Sequence, residues 1–180
     1  MRLSAVRALI AVALVVLLSS SSLGHAIRPD AAAAESPFSP NVRVTDGQSP
    51  FPHQVEPTLV IDPTGRLLLG WKEAFTPAGP GRRVGFARSV DGGLSWSTNI
   101  LMDRENASRN QSDPWLAVDE LGRTYYARLE FADDGGGDVR VSRSDDGGLV
   151  WGPIANADDR PGFADKESMT SDGAGTMYVA

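Results

Sequence analysis

The sequence contains no cysteine, only two histidines and few aromatic residues, which make up 7% of the chain. Without cysteine, neither disulfide bonds nor thiolate metal sites are available, so packing alone must hold the fold. His25 lies in an N-terminal leader segment, which leaves His53 alone and excludes a histidine metal cluster. Neither a metal nor a cofactor is therefore predicted.

Long apolar runs are also lacking. The longest is Ala8 to Leu18, whose 11 residues fall well short of the roughly 20 that a membrane-spanning helix needs. Arg2 and Arg7 precede this run, and small residues follow it up to Ala26. The pattern predicts a signal peptide over residues 1–26, with an uncleaved signal anchor as the alternative. The protein is expected to be secreted, extracellular or periplasmic, without a membrane span after signal cleavage.

An excess of basic residues is absent as well. Removing the leader leaves 15 of the 17 basic residues and all 23 acidic ones, a net charge of −8. An acidic exported domain is a poor candidate for nucleic acid or an anionic membrane, so no nucleic-acid partner is predicted. Residues 27–53 contain five prolines and few large apolar groups, which predicts a flexible linker.

What the chain does contain is an internal repeat. The segment Ser89 to Trp96 recurs as Ser144 to Trp151, 55 residues later. Six residues between 54 and 66 also return in the same order 57 residues later: Gln54, Pro57, Leu59, Asp62, Gly65 and Arg66 match Gln111, Pro114, Leu116, Asp119, Gly122 and Arg123. A third copy opens near Asp165. A fixed period of this size predicts a repeat architecture over residues 54–180.

Each repeat has the pattern of four short strands, bounded by Gly, Pro and Asp clusters. In the first repeat they are predicted at 54–61, 66–74, 83–89 and 96–101, and no stretch has sustained helical periodicity. Val139 and Val141 alternate with Arg140 and Ser142, as in a strand covered on one face. This predicts an all-β fold of propeller blades, each burying its apolar face against the next, with a β-sandwich as the alternative.

The repeats amount to about two and a third units, too few to close a ring. An open ring leaves edge strands and an apolar face uncovered. The sequence is therefore expected to be the N-terminal part of a longer protein.

The repeated turn, Ser-x-Asp-x-Gly-x-(Ser/Thr)-Trp, resembles the Asp-box, or bacterial neuraminidase repeat, of the sialidase superfamily. Its residues here are Ser89, Asp91, Gly93, Trp96, Ser144, Asp146, Gly148 and Trp151, and only Val150 departs from the pattern. The resemblance implies a sialidase-like β-propeller, with this chain forming about two and a third blades of a six-bladed ring. The aspartates are expected to accept hydrogen bonds from the turn, with the tryptophans packed beneath it. In that family the boxes lie opposite the active site.

In a four-stranded meander, the start of the first strand and the loop between the second and third strands fall on one face. That face is expected to hold loops 75–82 and 132–138. Polar residues there are candidate ligand contacts, with solvated strand ends and exposed solubilising charges as the alternative. They are Gln54, Glu56, Arg82, Arg83, Arg109, Gln111, Asp113, Asp138, Asp165 and Glu167. Trp71 and Trp115 are expected to be buried between blades, with stacking on a sugar ring as the alternative.

The resemblance implies a retaining exo-hydrolysis with a tyrosine nucleophile activated by a glutamate. It also implies an aspartic acid proton donor and arginines that bind the sugar carboxylate. This sequence departs from the pattern, because Val55-Glu56-Pro57 replaces the family's Arg-Ile-Pro and residues 76–83 contain no acid. No catalytic residue is therefore assigned, and this chain alone is expected to be inactive.

Two hypotheses follow from these observations. One is an exported exo-glycosidase of the exo-α-sialidase type. The other is a non-catalytic propeller that binds glycan or protein. An extracellular glycan or glycoconjugate is the partner expected under the first hypothesis and under the glycan-binding form of the second.

Overall fold

The computed structural model describes residues 38–158, 162 and 164–180. The predicted signal peptide and the first part of the predicted linker lie outside the described residues. The chain divides into two units, 1–40 and 41–180. Residues 38–40, the described part of the first unit, are exposed and irregular, and the second unit contains every described strand. Among the residues described, no helix is long and apolar enough to cross a membrane.

The described residues form two four-stranded antiparallel sheets and a hairpin, each in chain order. The first sheet contains β1 (His53–Ile61), β2 (Leu67–Ala74), β3 (Arg83–Ser89) and β4 (Ile100–Leu101). The second contains β5 (Asn110–Val118), β6 (Thr124–Phe131), β7 (Gly137–Ser144) and β8 (Ala155–Asn156). The hairpin pairs β9 (Met169–Ser171) with β10 (Met177–Val179). The predicted all-β fold of two four-stranded repeats and the beginning of a third is confirmed.

Two details of the strand prediction are wrong. The outer strand of the first sheet contains only Ile100 and Leu101, because the residues before them still belong to the turn. Ser97 closes that turn, since its hydroxyl accepts a hydrogen bond from the Arg88 amide at 3.1 Å. In the second sheet, Arg140 and Ser142 are buried although the alternation of β7 predicts them on an open face. The Arg140 guanidinium is held by Glu105 and by Asp138, which explains how a charged group is accommodated there.

The turn from β1 to β2 is built around a buried carboxylate. Asp62 Oδ1 accepts hydrogen bonds from the amides of Thr64 and Arg66 at 2.8 and 3.1 Å, and Asp62 Oδ2 pairs with Arg66 Nε at 2.5 Å. Asp119 and Arg123 repeat this arrangement between β5 and β6. Burial alone would raise the pKa of Asp62, but hydrogen bonds from Thr64 and Arg66 outweigh it and leave the pKa lowered.

The two sheets pack on each other through a shared apolar core. Leu68, Val84 and Phe86 of the first sheet meet Leu116 and Tyr126 of the second. The Tyr126 hydroxyl crosses the interface and donates a hydrogen bond to the Gly85 carbonyl at 2.8 Å. A Cβ on Gly70 would lie 2.5 Å from that hydroxyl oxygen, so the close approach requires glycine there.

The second repeated turn docks on the first sheet. The Trp151 ring packs edge-on against Phe86 with 5.1 Å between ring centroids, so it belongs to the core between the sheets. Arg88 Nη1 donates to the carbonyls of Asp146 and Gly147 at 3.4 and 3.3 Å. The turn is therefore an element of the contact between repeats as well as a local hairpin.

The predicted linker ends against the first sheet. Asp46 and Asn99 exchange two hydrogen bonds of 2.7 and 3.0 Å from backbone amides to side-chain oxygens. Ser49 Oγ donates to Glu73 Oε2 at 2.7 Å. Residues 41–52 contain no strand, but these bonds fix their path to β1.

We expect Gly148→Ala to lower the free energy of unfolding by roughly 2–4 kcal/mol. Gly148 has φ 83° and a Cβ there would collide with the Phe86 ring, so both backbone strain and overpacking contribute. The control is Gly93→Ala at the equivalent position of the first turn, where φ is 91° and the nearest atom is the flexible end of Leu67 at 3.2 Å. That variant should lose only about 1 kcal/mol in urea unfolding. Equal losses would contradict the docking role of the second turn.

Candidate functional site

The repeated turns are closed by their own side chains. Asp91 Oδ1 accepts hydrogen bonds from Ser89 Oγ at 2.7 Å and from the Ser95 amide at 2.9 Å, and the Gly93 amide donates to Ser89 Oγ at 2.9 Å. Ser144 and Asp146 repeat the pattern. Hydrogen bonds from Ser95 and then Ser89 lower the pKa of Asp91 to about 2. A carboxyl so firmly ionised is suited to structure and unsuited to proton donation.

A different feature recurs in the first strand of the first two repeats and just before the first strand of the third, where the backbone turns into the left-handed region. Glu56, Asp113 and Lys166 have φ values of 53°, 49° and 62°, and no other non-glycine residue among those described has a positive φ. The pairing register shifts at this point, between Val55 and Thr58 in β1 and between Ser112 and Trp115 in β5. Such bulges re-aim side chains and occur next to functional sites.

The three residues with left-handed backbone meet in one network of ion pairs. Lys166 Nζ lies 3.1 Å from Asp113 Oδ1 and 3.9 Å from Glu56 Oε1, and Lys72 Nζ lies 2.6 Å from Glu56 Oε1. The hydrogen bond to Asp113 raises the pKa of Lys166. Burial opposes ionisation of Asp113, yet its bonds to Lys166 and Ser112 leave its pKa lowered. Both groups of the central pair are therefore charged at neutral pH.

A cavity of about 520 Å³ opens beside this network, between the inner strands β1 and β5 and the segment that leads into β9. We call it the inner-strand cavity. Its lining includes Glu56, Thr58, Asp113, Trp115, Lys166 and Glu167. Trp115 is 41% exposed, with its indole N–H bonded to the Met169 carbonyl at 3.1 Å. The prediction that Trp115 is buried is therefore wrong. Trp71 is buried as predicted, and its indole N–H donates to Glu73 Oε1 at 2.7 Å.

Glu167 is the most unusual member of the lining. Its side chain is buried, the residue being 5% exposed, and neither carboxylate oxygen has a hydrogen-bond partner among the described residues. Burial raises the pKa of Glu167 to about 8, although the residue's own backbone amide acts in the opposite direction; the carboxylates of Asp113 and Asp165 raise the pKa further, and the ammonium of Lys166 lowers it. At neutral pH this carboxyl is largely protonated. Asp165 itself is exposed.

The two predicted glutamines serve the fold. Gln54 Nε2 donates to Glu73 Oε2 at 2.9 Å, and Gln111 Nε2 donates to Glu130 Oε1 at 3.1 Å, each pair lying directly opposite across two strands. The sequence predicts Gln111 on the ligand face, but it is completely buried. Its oxygen accepts the Val84 amide at 3.2 Å, so its hydrogen bonds are used within the blades.

The three predicted arginines are held by protein groups. Arg109 pairs with Asp138 at 2.8 Å, and Asp138 also binds Arg140 at 3.0 Å. Arg83 Nη2 donates to the Met102 carbonyl at 2.6 Å. Arg82 bonds to Asn110 at 3.3 Å and pairs with Asp133 at 3.4 Å. The described residues contain no group of three or more histidine, aspartate or glutamate side chains placed to hold a metal ion.

Sequence reasoning missed Lys72 and Lys166, which hold the carboxylates of the cavity. The repeat places Lys166 in register with Glu56 and Asp113, so an alignment of the third copy was the available signal. The partnership of Lys72 with Glu56 depends on the bulge, which the sequence pattern does not show.

No protein-family model matches the sequence, and no curated protein does. Solved structures do match. The Hadza microbial sialidase Hz136 gives a TM-score of 0.50 at 20% identity, over 56% of this chain and 25% of that one. The GH93 α-L-arabinofuranosidase of Fusarium graminearum, in complex with arabinobiose, gives 0.52 at 18%, over 72% and 40%. A protein of unknown function from Dyadobacter fermentans gives 0.52 at 18%, over 69% and 45%.

These similarities confirm that the chain has the sialidase-like β-propeller fold. The chain spans between a quarter and just under half of the length of the structures it matches. At these levels of identity the likeness concerns the fold.

Glu167 should make stability depend on pH. Its folded-state pKa of about 8 lies above the ordinary 4.5, so folding favours the protonated form. Its contribution is fully present below 4.5 and is lost as the pH rises through 8, by an amount on the order of a few kcal/mol. Glu167→Gln, which stays neutral, should remove this loss in urea unfolding across that range. Asp165→Asn, an exposed neighbour, should keep it. A pH profile unchanged by Glu167→Gln would refute the assignment.

Proposed function

We propose that the chain is part of an exported, sialidase-like propeller that recognises extracellular glycans at the inner-strand cavity. Exo-glycoside hydrolysis of the exo-α-sialidase type is the leading reaction if the complete protein is catalytic. The observation that carries the proposal is the cavity itself, where left-handed residues of three successive repeats bring Glu56, Asp113 and Lys166 together beside the exposed ring of Trp115. Sugar sites commonly combine an aromatic surface with a few fixed polar groups.

The fold supports this proposal. The matching structures named above include a sialidase and an arabinofuranosidase in complex with arabinobiose. Ligand sites lie preferentially where structural elements converge, and the cavity lies where the inner strands of the repeats do. The repeated turns are not part of the proposed sugar site, because the Asp91 carboxylate already accepts the hydrogen bonds of its own turn.

A non-catalytic binding propeller is the second candidate, and one observation favours it. Arg82, Arg83 and Arg109 each bond through a terminal guanidinium nitrogen to a protein oxygen, and the remaining Nε of Arg109 is buried, so none of the three presents an unengaged guanidinium to a sugar carboxylate. A protein that binds glycan through Trp115 and the ion-pair network needs no such arginine. Binding is therefore the property common to both candidates, and hydrolysis distinguishes them.

The test uses the full chain with two probes, arabinobiose as a neutral sugar and an α-linked sialoside as an anionic one. Binding is measured by calorimetry and hydrolysis by release of free sugar. Trp115→Ala should weaken binding about tenfold, because the ring surface is lost. Trp96→Ala, which removes a half-buried tryptophan of the first turn, should leave affinity unchanged.

Each outcome of this test decides something. Release of free sugar by this chain favours the glycosidase, whereas binding without release supports glycan recognition under both candidates, because no catalytic residue is assigned in this chain. A folded chain that binds neither probe would overturn the proposal, as would equal effects of the two tryptophan substitutions.

A further inference from the structure

The inner-strand cavity has a positive charge within reach of a ligand. Of the described residues that line it, Lys166 is the basic one, and its side chain is 66% exposed. The other ammonium of the ion-pair network belongs to Lys72, whose side chain is 8% exposed and does not line the cavity. An anionic group that enters the cavity therefore meets Lys166.

The ammonium of Lys166 keeps hydrogen-bonding capacity for a ligand. An ammonium has three N–H donors. One of them donates to Asp113 Oδ1 at 3.1 Å, while the 3.9 Å between Lys166 Nζ and Glu56 Oε1 is too long for a hydrogen bond. Asp113 is the hydrogen-bond acceptor that this ammonium has within the described part of the chain. Donors of the ammonium thus remain for an oxygen that enters the cavity.

The central ion pair presents its positive end to the solvent. The Asp113 side chain is 9% exposed and that of Lys166 is 66% exposed, so the acid is the inner member of the pair and the base the outer one. Coulomb attraction weakens with distance, so an anion that approaches from outside is attracted by the nearer ammonium more than it is repelled by the carboxylate behind it. The second carboxylate of the network, that of Glu56, is compensated by Lys72 at 2.6 Å.

The remaining acids near the cavity change this balance little at neutral pH. Burial raises the pKa of Glu167 to about 8, which leaves that carboxyl largely uncharged. Asp165 is exposed to water and does not line the cavity. The hydrogen bond to Asp113 raises the pKa of Lys166, so the ammonium keeps its charge.

We propose that Lys166 binds the carboxylate of an anionic sugar in the inner-strand cavity through a charge-assisted hydrogen bond, with the sugar ring against Trp115. The inference rests on the proposed function and specifies the residue that distinguishes an acidic sugar from a neutral one. Hydrogen bonds between an ammonium and a carboxylate are about twice as strong as those between neutral groups, so loss of either charge should be measurable. Glu56, whose side chain is 37% exposed, is available to accept from the hydroxyls of the same sugar.

The experiment is a calorimetric titration of the full chain with two matched probes, an α-linked sialoside and the methyl ester of the same sialoside. The ester keeps the ring and its hydroxyls but has no charge. The wild-type chain should bind the acid about tenfold more tightly than the ester, and Lys166→Gln should lose this preference. The control is Arg143→Gln, which removes another exposed base paired with an aspartate at 3.0 Å, at the end of β7 and outside the inner-strand cavity. That variant should keep the preference.

A second variant separates the charge of Lys166 from its part in the structure. Asp113→Asn removes the acid that competes for the ammonium, and asparagine tolerates the left-handed backbone that Asp113 has, with φ 49°. This variant should bind the acid several-fold more tightly than the wild type does and bind the ester unchanged. If the ion pair served only to hold the cavity in shape, Lys166→Gln and Asp113→Asn would both weaken the binding of both probes.

The outcomes separate this inference from the function on which it rests. Equal binding of acid and ester by the wild type, or a preference that persists in Lys166→Gln, overturns the role of Lys166 and leaves glycan recognition standing. Weaker binding of the acid by a folded Asp113→Asn chain overturns it as well. A folded wild-type chain that binds neither sialoside probe nor arabinobiose overturns both. The wild-type comparison needs no variant, and cooperative unfolding in urea verifies that each chain is folded.

Discussion

The packing of the first sheet on the second is the contact on which the rest of the structure depends. Each sheet is a meander whose apolar face needs a cover, and the next repeat supplies it. The approach is close because Gly70 carries no side chain where Tyr126 crosses between the sheets to the Gly85 carbonyl. It also brings the inner strands β1 and β5 together, as the hydrogen bond from the Leu116 amide to Thr58 Oγ1 at 3.1 Å shows. Without this docking, the bulges of β1 and β5 would not lie side by side.

The bulges show how a repeated backbone feature positions charged side chains at one site. A left-handed backbone at a non-glycine residue costs of order 1–3 kcal/mol and persists only where its surroundings over-determine it. Here the surroundings include Pro57 and Pro114, which follow the first two strained residues, and the ion pairs that Lys72 and Lys166 make with their carboxylates. The same backbone device carries an acid in two repeats and a lysine in the third, so opposite charges converge from equivalent positions.

Much of this architecture can be predicted from the sequence, since the repeat determines it. The copied turn motif and the four-strand spacing predict the all-β blades and the start of a third one, which the structure confirms. The side-chain environments are less predictable. The sequence predicts Gln111 and Arg140 at the surface, yet both are buried. Gln111 bonds to Glu130 and Arg140 pairs with Glu105, and the local sequence pattern does not show either partnership. The exposure of Trp115 likewise depends on how three inner strands converge.

The contrast between Asp91 and Glu167 shows that the most recognisable motif does not contain the carboxyl most able to carry a proton at neutral pH. Asp91 belongs to a conspicuous motif, but its turn surrounds it with donors and lowers its pKa to about 2, so it remains ionised. Glu167 belongs to no conspicuous motif, and burial raises its pKa to about 8. Two carboxyls of similar intrinsic acidity are thus separated by environment alone, one made structural and the other able to carry a proton. The carboxyl able to carry a proton therefore lies in the segment that leads into β9, beside the bulged inner strands, and not in the repeated turns, where Asp91 and Asp146 accept hydrogen bonds from donors of their own turn.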